Sequence, residues 1–210
     1  RECATFYSEK QKKKTRSCNS SFSSFNRRQV RRLCGLILHS FATRDPLTLI
    51  RAFNTYVLPN LIYCSSVWSP RLSKDNILIE SCLRSFTYNF IRPPYAPINY
   101  TDRLLRYNVI SLQHRRLIRD LIMTHKILNE RNCLKISDFF MRPKCKNTRS
   151  NSNNKLINQK CHLELRRNFF SVRIVNVWNK LPDEITQEKS ETIFKQLVTD
   201  YIVKETKVDY

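Results

Sequence analysis

Ser111–Asn129 reads SLQHRRLIRDLIMTHKILN, and this stretch decides the fold class. Leu117, Ile118, Leu121, His125 and Leu128 recur at separations of three and four residues, which places them on one face of a helix with 3.6 residues per turn. Arg115, Arg116, Arg119 and Lys126 fall largely on the opposite side. The spacing predicts an amphipathic helix with an apolar inner face and a cationic outer one.

Outward from it, the same period recurs on both sides. Val30, Leu33, Cys34, Ile37 and Phe41 form an apolar stripe, with Arg28, Arg31 and Arg32 projecting from its other side. Asp45 followed by Pro46 reads as an N-cap and first helical position, opening a helix through Leu49, Ile50, Phe53 and Val57 that Pro59 should kink or end. Tyr63–Pro70 is aromatic and reads as irregular. Ser73 then caps a helix carrying Ile77, Ile79, Cys82, Leu83, Phe86 and Phe90, and Pro93, Pro94 and Pro97 stop it. Thr101 begins a short helix before the central one.

Beyond the central helix, Met141–Lys160 is polar and basic around NTRSNSNN and reads as a linker. Asn168 is a candidate cap for a helix through Phe170, Ile174, Val177, Trp178 and Leu181, closed by Pro182. A last helix uses Phe194, Leu197, Val198 and Tyr201. Strands are expected only briefly, at Lys155–Asn158 and Cys161–Arg166. The expectation is a mainly α chain: a basic arm at 1–26, helical segments at 27–92 and 93–141, a linker at 142–160 and a smaller helical unit at 161–210.

Composition narrows the function classes. With 38 Lys and Arg against 17 Asp and Glu, the formal charge of the 210-residue chain is +21. A field of that sign concentrates polyanions and releases their counterions, the usual basis of nucleic-acid affinity. A basic protein that meets anionic lipid and a ribosomal or chaperone-like module are the other readings. Gly35 is the only glycine, which excludes the Gly-rich loops that cradle phosphates and starves hairpin turns of positive-φ residues. The absence of a signal peptide or a continuous apolar span suggests a soluble intracellular protein, cytoplasmic or nuclear.

No catalytic or cofactor constellation is expected. Two-metal phosphoryl transfer needs neighbouring carboxylates, and the only adjacent acidic pair, Asp183–Glu184, follows Pro182 where a helix should start. The four histidines have no serine or cysteine partner at a recognisable spacing. None of the eight cysteines forms a C-x-x-C pair, and Cys145, Cys161 and His162 are loose metal candidates without zinc-knuckle spacing. Aromatic side chains stack on bases only where exposed, and Phe53, Phe86, Phe90, Phe170 and Trp178 lie on apolar stripes that suit a core. Phosphate contact falls to Arg28, Arg31, Arg32, Arg84, Arg115, Arg116 and Arg119.

Four blocks give the chain a resemblance. Tyr56-Val57-Leu58-Pro59 through Tyr63, Ser65, Val67, Trp68, Ser69 and Pro70 is similar to a YVLPxLxYxSxVWSP pattern. Glu80, Arg84, Phe86 and Thr87 match E-x-x-Q-R-x-F-T, with Leu83 where glutamine would stand. Tyr100, Arg103, Leu104, Ser111, Leu112, Arg115 and Arg116 match Y-x-x-R-L-x-x-L-x-x-x-S-L-x-x-R-R, with Tyr107 for the second leucine. Arg166, Phe169, Phe170, Arg173, Trp178, Asn179, Leu181 and Pro182 match R-x-x-F-F-x-x-R-V-x-x-x-W-N-x-L-P. In this order they resemble the region downstream of the polymerase palm in non-LTR retrotransposon reverse transcriptases of the jockey-like kind. Residues 1–26 depart from what precedes in that family.

The resemblance implies a thumb-like helical bundle and a C-terminal unit that grip RNA, DNA or their hybrid without independent polymerase activity. Nothing matches the Tyr-x-Asp-Asp turn of the palm. A second reading has the chain working with a palm supplied by another polypeptide, and a third makes it a structural relic of a decayed element.

Overall fold

The computed structural model describes residues 28–43, 45–70, 72–90, 98–130, 133–143 and 154–208. The basic arm, the Pro93–Pro97 boundary, Cys145 and the NTRSNSNN centre of the expected linker lie outside them. The described chain is mainly α. Its helices are α1 (28–40), α2 (Pro46–Ala52), α3 (Leu58–Ile62), α4 (Ser65–Trp68), α5 (Ser73–Phe90), α6 (Tyr100–Arg106), α7 (Leu112–Leu128), α8 (Ile136–Phe139), α9 (Glu164–Arg167), α10 (Phe170–Lys180), α11 (Asp183–Gln187) and α12 (Glu191–Val208). No strand occurs among the described residues: 155–160 is neither helix nor strand, and Glu164–Arg167 is one helical turn where a brief strand was expected.

The chain divides into two compact units, one of Arg1–Tyr63 with Pro70–Gln113 and one of Cys64–Ser69 with His114–Tyr210. The chain passes between the units on either side of Cys64–Ser69 and again within α7, between Gln113 and His114.

In the first unit, α1 buries Val30, Cys34 and Ile37 and exposes Arg28, Arg31 and Arg32, as its period predicts. Asp45 caps α2: its Oδ2 accepts from the Thr48 N–H at 2.8 Å and the Thr48 hydroxyl at 2.7 Å. Those hydrogen bonds hold the carboxyl below its ordinary range. Pro59 does not end the helix. The chain widens into a π turn, Phe53–Val57, in which Leu58 N–H reaches the Phe53 carbonyl, and α3 restarts with Pro59 in its first turn. There the missing N–H of proline costs least.

Within α5, Ile79, Cys82, Leu83 and Phe86 are buried, and the Phe86 ring meets Phe53 at 4.8 Å. Ile77 was expected on this face but is 61% exposed. It sits about 200° round the helix from Ile79.

In the second unit Phe170, Ile174 and Trp178 of α10 and Leu181 just after it are buried as expected, whereas Val177, expected on the same face, is half-buried. Phe194 of α12 is fully buried, stacked on His125 at 4.1 Å and tilted against Trp178 at 5.8 Å. Burying such a ring contributes about 1.5–3 kcal/mol. The last part of the expected linker is pinned rather than free. Trp178 Nε1–H donates to the Asn154 carbonyl at 2.9 Å, and Asn179 brackets Leu156, accepting from its N–H at 3.0 Å and donating to its carbonyl at 2.8 Å. Asn168 was expected to cap α10, but its amide donates to the Glu164 carbonyl at 2.8 Å and so closes α9. Asp183 and Glu184 are exposed in the first turn of α11, the helix start that the sequence suggested.

Candidate nucleic-acid interface

The seven candidate arginines do not share one fate. Arg28, Arg31 and Arg32 are exposed together on α1, where separations of three and four residues make them neighbours on one face. Arg84 and Arg119 are exposed and Arg115 is half-buried. Arg116 is a correction: it is 3% exposed. The helical period places Arg115, Arg116, Arg119 and Lys126 largely on the outer side of α7. In fact Leu112, Arg116, Asp120, Thr124 and Ile127 form a buried row at helical spacing, beside Ile118, Leu121 and His125. A helix enclosed around most of its circumference leaves no wide cationic face, so Arg116 is unavailable to phosphate.

Two polar clusters organise the units. In the first unit Glu80 is the centre. Its carboxylate accepts from the Leu112 N–H at 3.1 and 3.3 Å, capping the 17-residue α7, and from the Tyr100 hydroxyl. A negative charge at a helix N-terminus satisfies an orphan donor and complements the helix dipole. Burial and the adjacent Glu80 carboxylate push the Tyr100 hydroxyl well above its ordinary range, so it stays a donor. Arg84 lies over the Tyr100 ring at 4.9 Å, and Arg103 lies over Tyr100 at 5.7 Å and over Tyr88 at 5.8 Å. Arg103 is itself buried, with Nη1 donating to the Ile98 carbonyl at 2.7 Å.

In the second unit Arg173 is the centre. It donates to Asp120 Oδ2 from Nη2 at 2.7 Å and from Nε at 3.3 Å, to the Ser66 carbonyl at 3.2 Å and to the Asn168 carbonyl at 3.1 Å. One guanidinium thus ties α4, α7 and the α9–α10 junction together. Its planar array of five donors makes four hydrogen bonds to three acceptors possible, which a lysine could not match.

The core reading of Phe53, Phe86, Phe170 and Trp178 holds, since all four are buried; the side chain of Phe90 lies outside the described residues. The exposed rings are tyrosines that the sequence reading passed over: Tyr56 at 60%, Tyr63 at 70% and Tyr88 at 53%. Their hydroxyl is the signal that could have found them, because a tyrosine on a helix edge keeps a polar tip in water while its ring stays available.

Among the described residues no group of three or more His, Cys, Asp or Glu side chains could hold a metal ion. Cys34 and Cys82 are buried, whereas Cys64 is exposed at φ 50° before α4. No helix among the described residues is long and apolar enough to cross a membrane.

The described units are thus helical, with an exposed arginine face on α1, exposed tyrosines and arginines clamped internally. No family model matches the chain, and no solved structure matches it. Among curated proteins it is similar to the uncharacterized protein B0403.1 of Caenorhabditis elegans, at 29% identity over 97 residues. The match covers 46% of this chain and about half, 49%, of that protein.

Proposed function

We propose that this chain is a non-catalytic, nucleic-acid-binding piece of a retrotransposon reverse transcriptase that holds RNA, DNA or their hybrid through phosphate contacts. The supporting observation is that the four sequence blocks interlock in pairs. Glu80 of the second block meets Tyr100 and Leu112 of the third, and Arg173 of the fourth holds the Ser66 carbonyl within the first. Residues that carry the resemblance, Glu80, Tyr100, Leu112 and Arg173 among them, are thus residues that fix the helices. The exposed Arg28, Arg31, Arg32, Arg84 and Arg119, with the half-buried Arg115, are the candidate phosphate contacts.

The test is to titrate a labelled RNA–DNA hybrid at several salt concentrations. Contact with three more phosphates steepens the fall of log K with log salt by about 2.7. The Arg28→Glu/Arg31→Glu/Arg32→Glu variant is expected to lose that part of the slope while melting as the parent does. Affinity indifferent to salt would overturn the proposal.

A further inference from the structure

Arg84, Tyr100, Arg103 and Tyr88 form a ladder in the first unit in which cations and rings alternate, at 4.9, 5.7 and 5.8 Å from cation to ring centroid. Its two ends differ from its middle. Arg103 is 7% exposed and Tyr100 is hydrogen-bonded to Glu80, so the middle is fixed. Arg84 and Tyr88 are exposed at the ends, Tyr88 at 53%. Half of a large aromatic side chain thus stands in water although its ring already has a cation beside it.

The Arg103 guanidinium adds a second observation. Its Nη1 is held by the Ile98 carbonyl, while its buried Nε has no hydrogen-bond partner. A guanidinium held this way keeps its charge close to the Tyr88 ring and cannot swing away. The ring is therefore a pre-positioned plate whose orientation costs little to fix when something lies on it.

We propose that Tyr88 is a stacking platform for an unpaired nucleobase, with Arg84 contacting the backbone of the same strand. The ligand class is single-stranded nucleic acid. This deepens the nucleic-acid reading above and rests on it. A duplex hides the faces of its bases inside the helix, so a plate of this kind gains only from a base that is not stacked on its neighbours. Every base has a π face, so the platform is indifferent to sequence. Arg103 beneath the ring and Arg84 beside it add cation attraction to the strand without reading its bases.

The experiment uses the full chain and three fluorescent probes of equal length: single-stranded oligothymidylate, the same backbone with abasic residues, and a duplex. Tyr88→Ala is compared with Tyr88→Phe. One stacked base supports about a tenfold effect. Tyr88→Ala is expected to weaken the oligothymidylate about tenfold and leave the abasic strand and the duplex within twofold, while Tyr88→Phe restores parental affinity. Equal losses on all three probes would make Tyr88 a structural residue and overturn the platform while leaving the phosphate reading intact. Loss of salt-dependent binding to every probe in the parent chain would overturn both.

Discussion

Arg31 and Arg173 both sit on amphipathic helices, one in each compact unit, yet one stands in solvent and the other meets a carboxylate and two carbonyls. The first unit turns an arginine face outward on α1 and stacks Arg84 and Arg103 on tyrosines. The second uses arginine as a tie between helix ends and short turns. Charge alone does not separate these roles. What separates them is whether the same helical face also carries an acid or a run of orphan carbonyls to receive the guanidinium. Asp120 supplies that on α7, and nothing described does so for Arg28, Arg31 and Arg32.

The comparison breaks first at its strongest point. Arg173→Ala leaves Asp120, whose side chain is 5% exposed, without its cation. An abandoned buried charge costs about 3–5 kcal/mol, and urea unfolding should show a loss of that size. Replacing both partners, Arg173→Met with Asp120→Leu, should recover most of it. If the single variant unfolds like the parent, the tie is not what holds α4 and α10.

In the first unit, Glu80→Ala should cost about 1–2 kcal/mol, because it uncaps α7 and strips the Tyr100 hydroxyl of its acceptor. A melting curve checks it, and Glu80→Gln should recover part of the loss by keeping an acceptor without the charge.

Gly35 sharpens the comparison from the other side. It is exposed in the middle of α1, and a Cβ built on it meets nothing within 4 Å. Gly35→Ala should therefore stabilise the cationic helix by about 0.5–1 kcal/mol, read as a small rise in melting temperature with unchanged nucleic-acid affinity.

The smallest effect is one of pH and thiol access. Burial, with Cys82 adding to it, pushes the Cys34 thiol up to about 12. The folded value is raised, so this contribution to stability is whole below pH 9 and is lost as the pH climbs toward 12. Iodoacetamide at pH 8 should label exposed Cys64 and Cys133 and spare Cys34 and Cys82 until the chain is denatured.

Much of this was legible in the sequence. The Asp45-Pro46 start, the helices around Leu83, Ile118, Trp178 and Val198, and the aromatic core all follow from period and capping chemistry. The misses have physical causes. Arg116 departs from the outward expectation because polarity does not by itself mean solvent: a helix buried on several sides carries polar groups inward. The π turn before Pro59 is a backbone repair that side-chain periodicity does not report. The pinned segment at 154–156 is held by Trp178 and Asn179 from more than twenty residues away, and local composition contains no trace of such a bond. Ile77 lies two residues, about 200°, from the buried Ile79, and Asn168 precedes the start of α10 by one residue too many to cap it.

The scarcity of glycine left a mark as well. Asn108 and Glu130 end α6 and α7 at φ 50° and 52°, positions where a glycine is the usual choice.

The central claim, that the outward arginines of the first unit meet phosphate while the inward ones hold the fold, is tested most directly by the salt dependence of RNA–DNA hybrid binding in the parent and in the Arg28→Glu/Arg31→Glu/Arg32→Glu variant. The account predicts a slope shallower by about 2.7 in the variant, at an unchanged melting temperature. An unchanged slope, or a variant that no longer folds cooperatively, would contradict it.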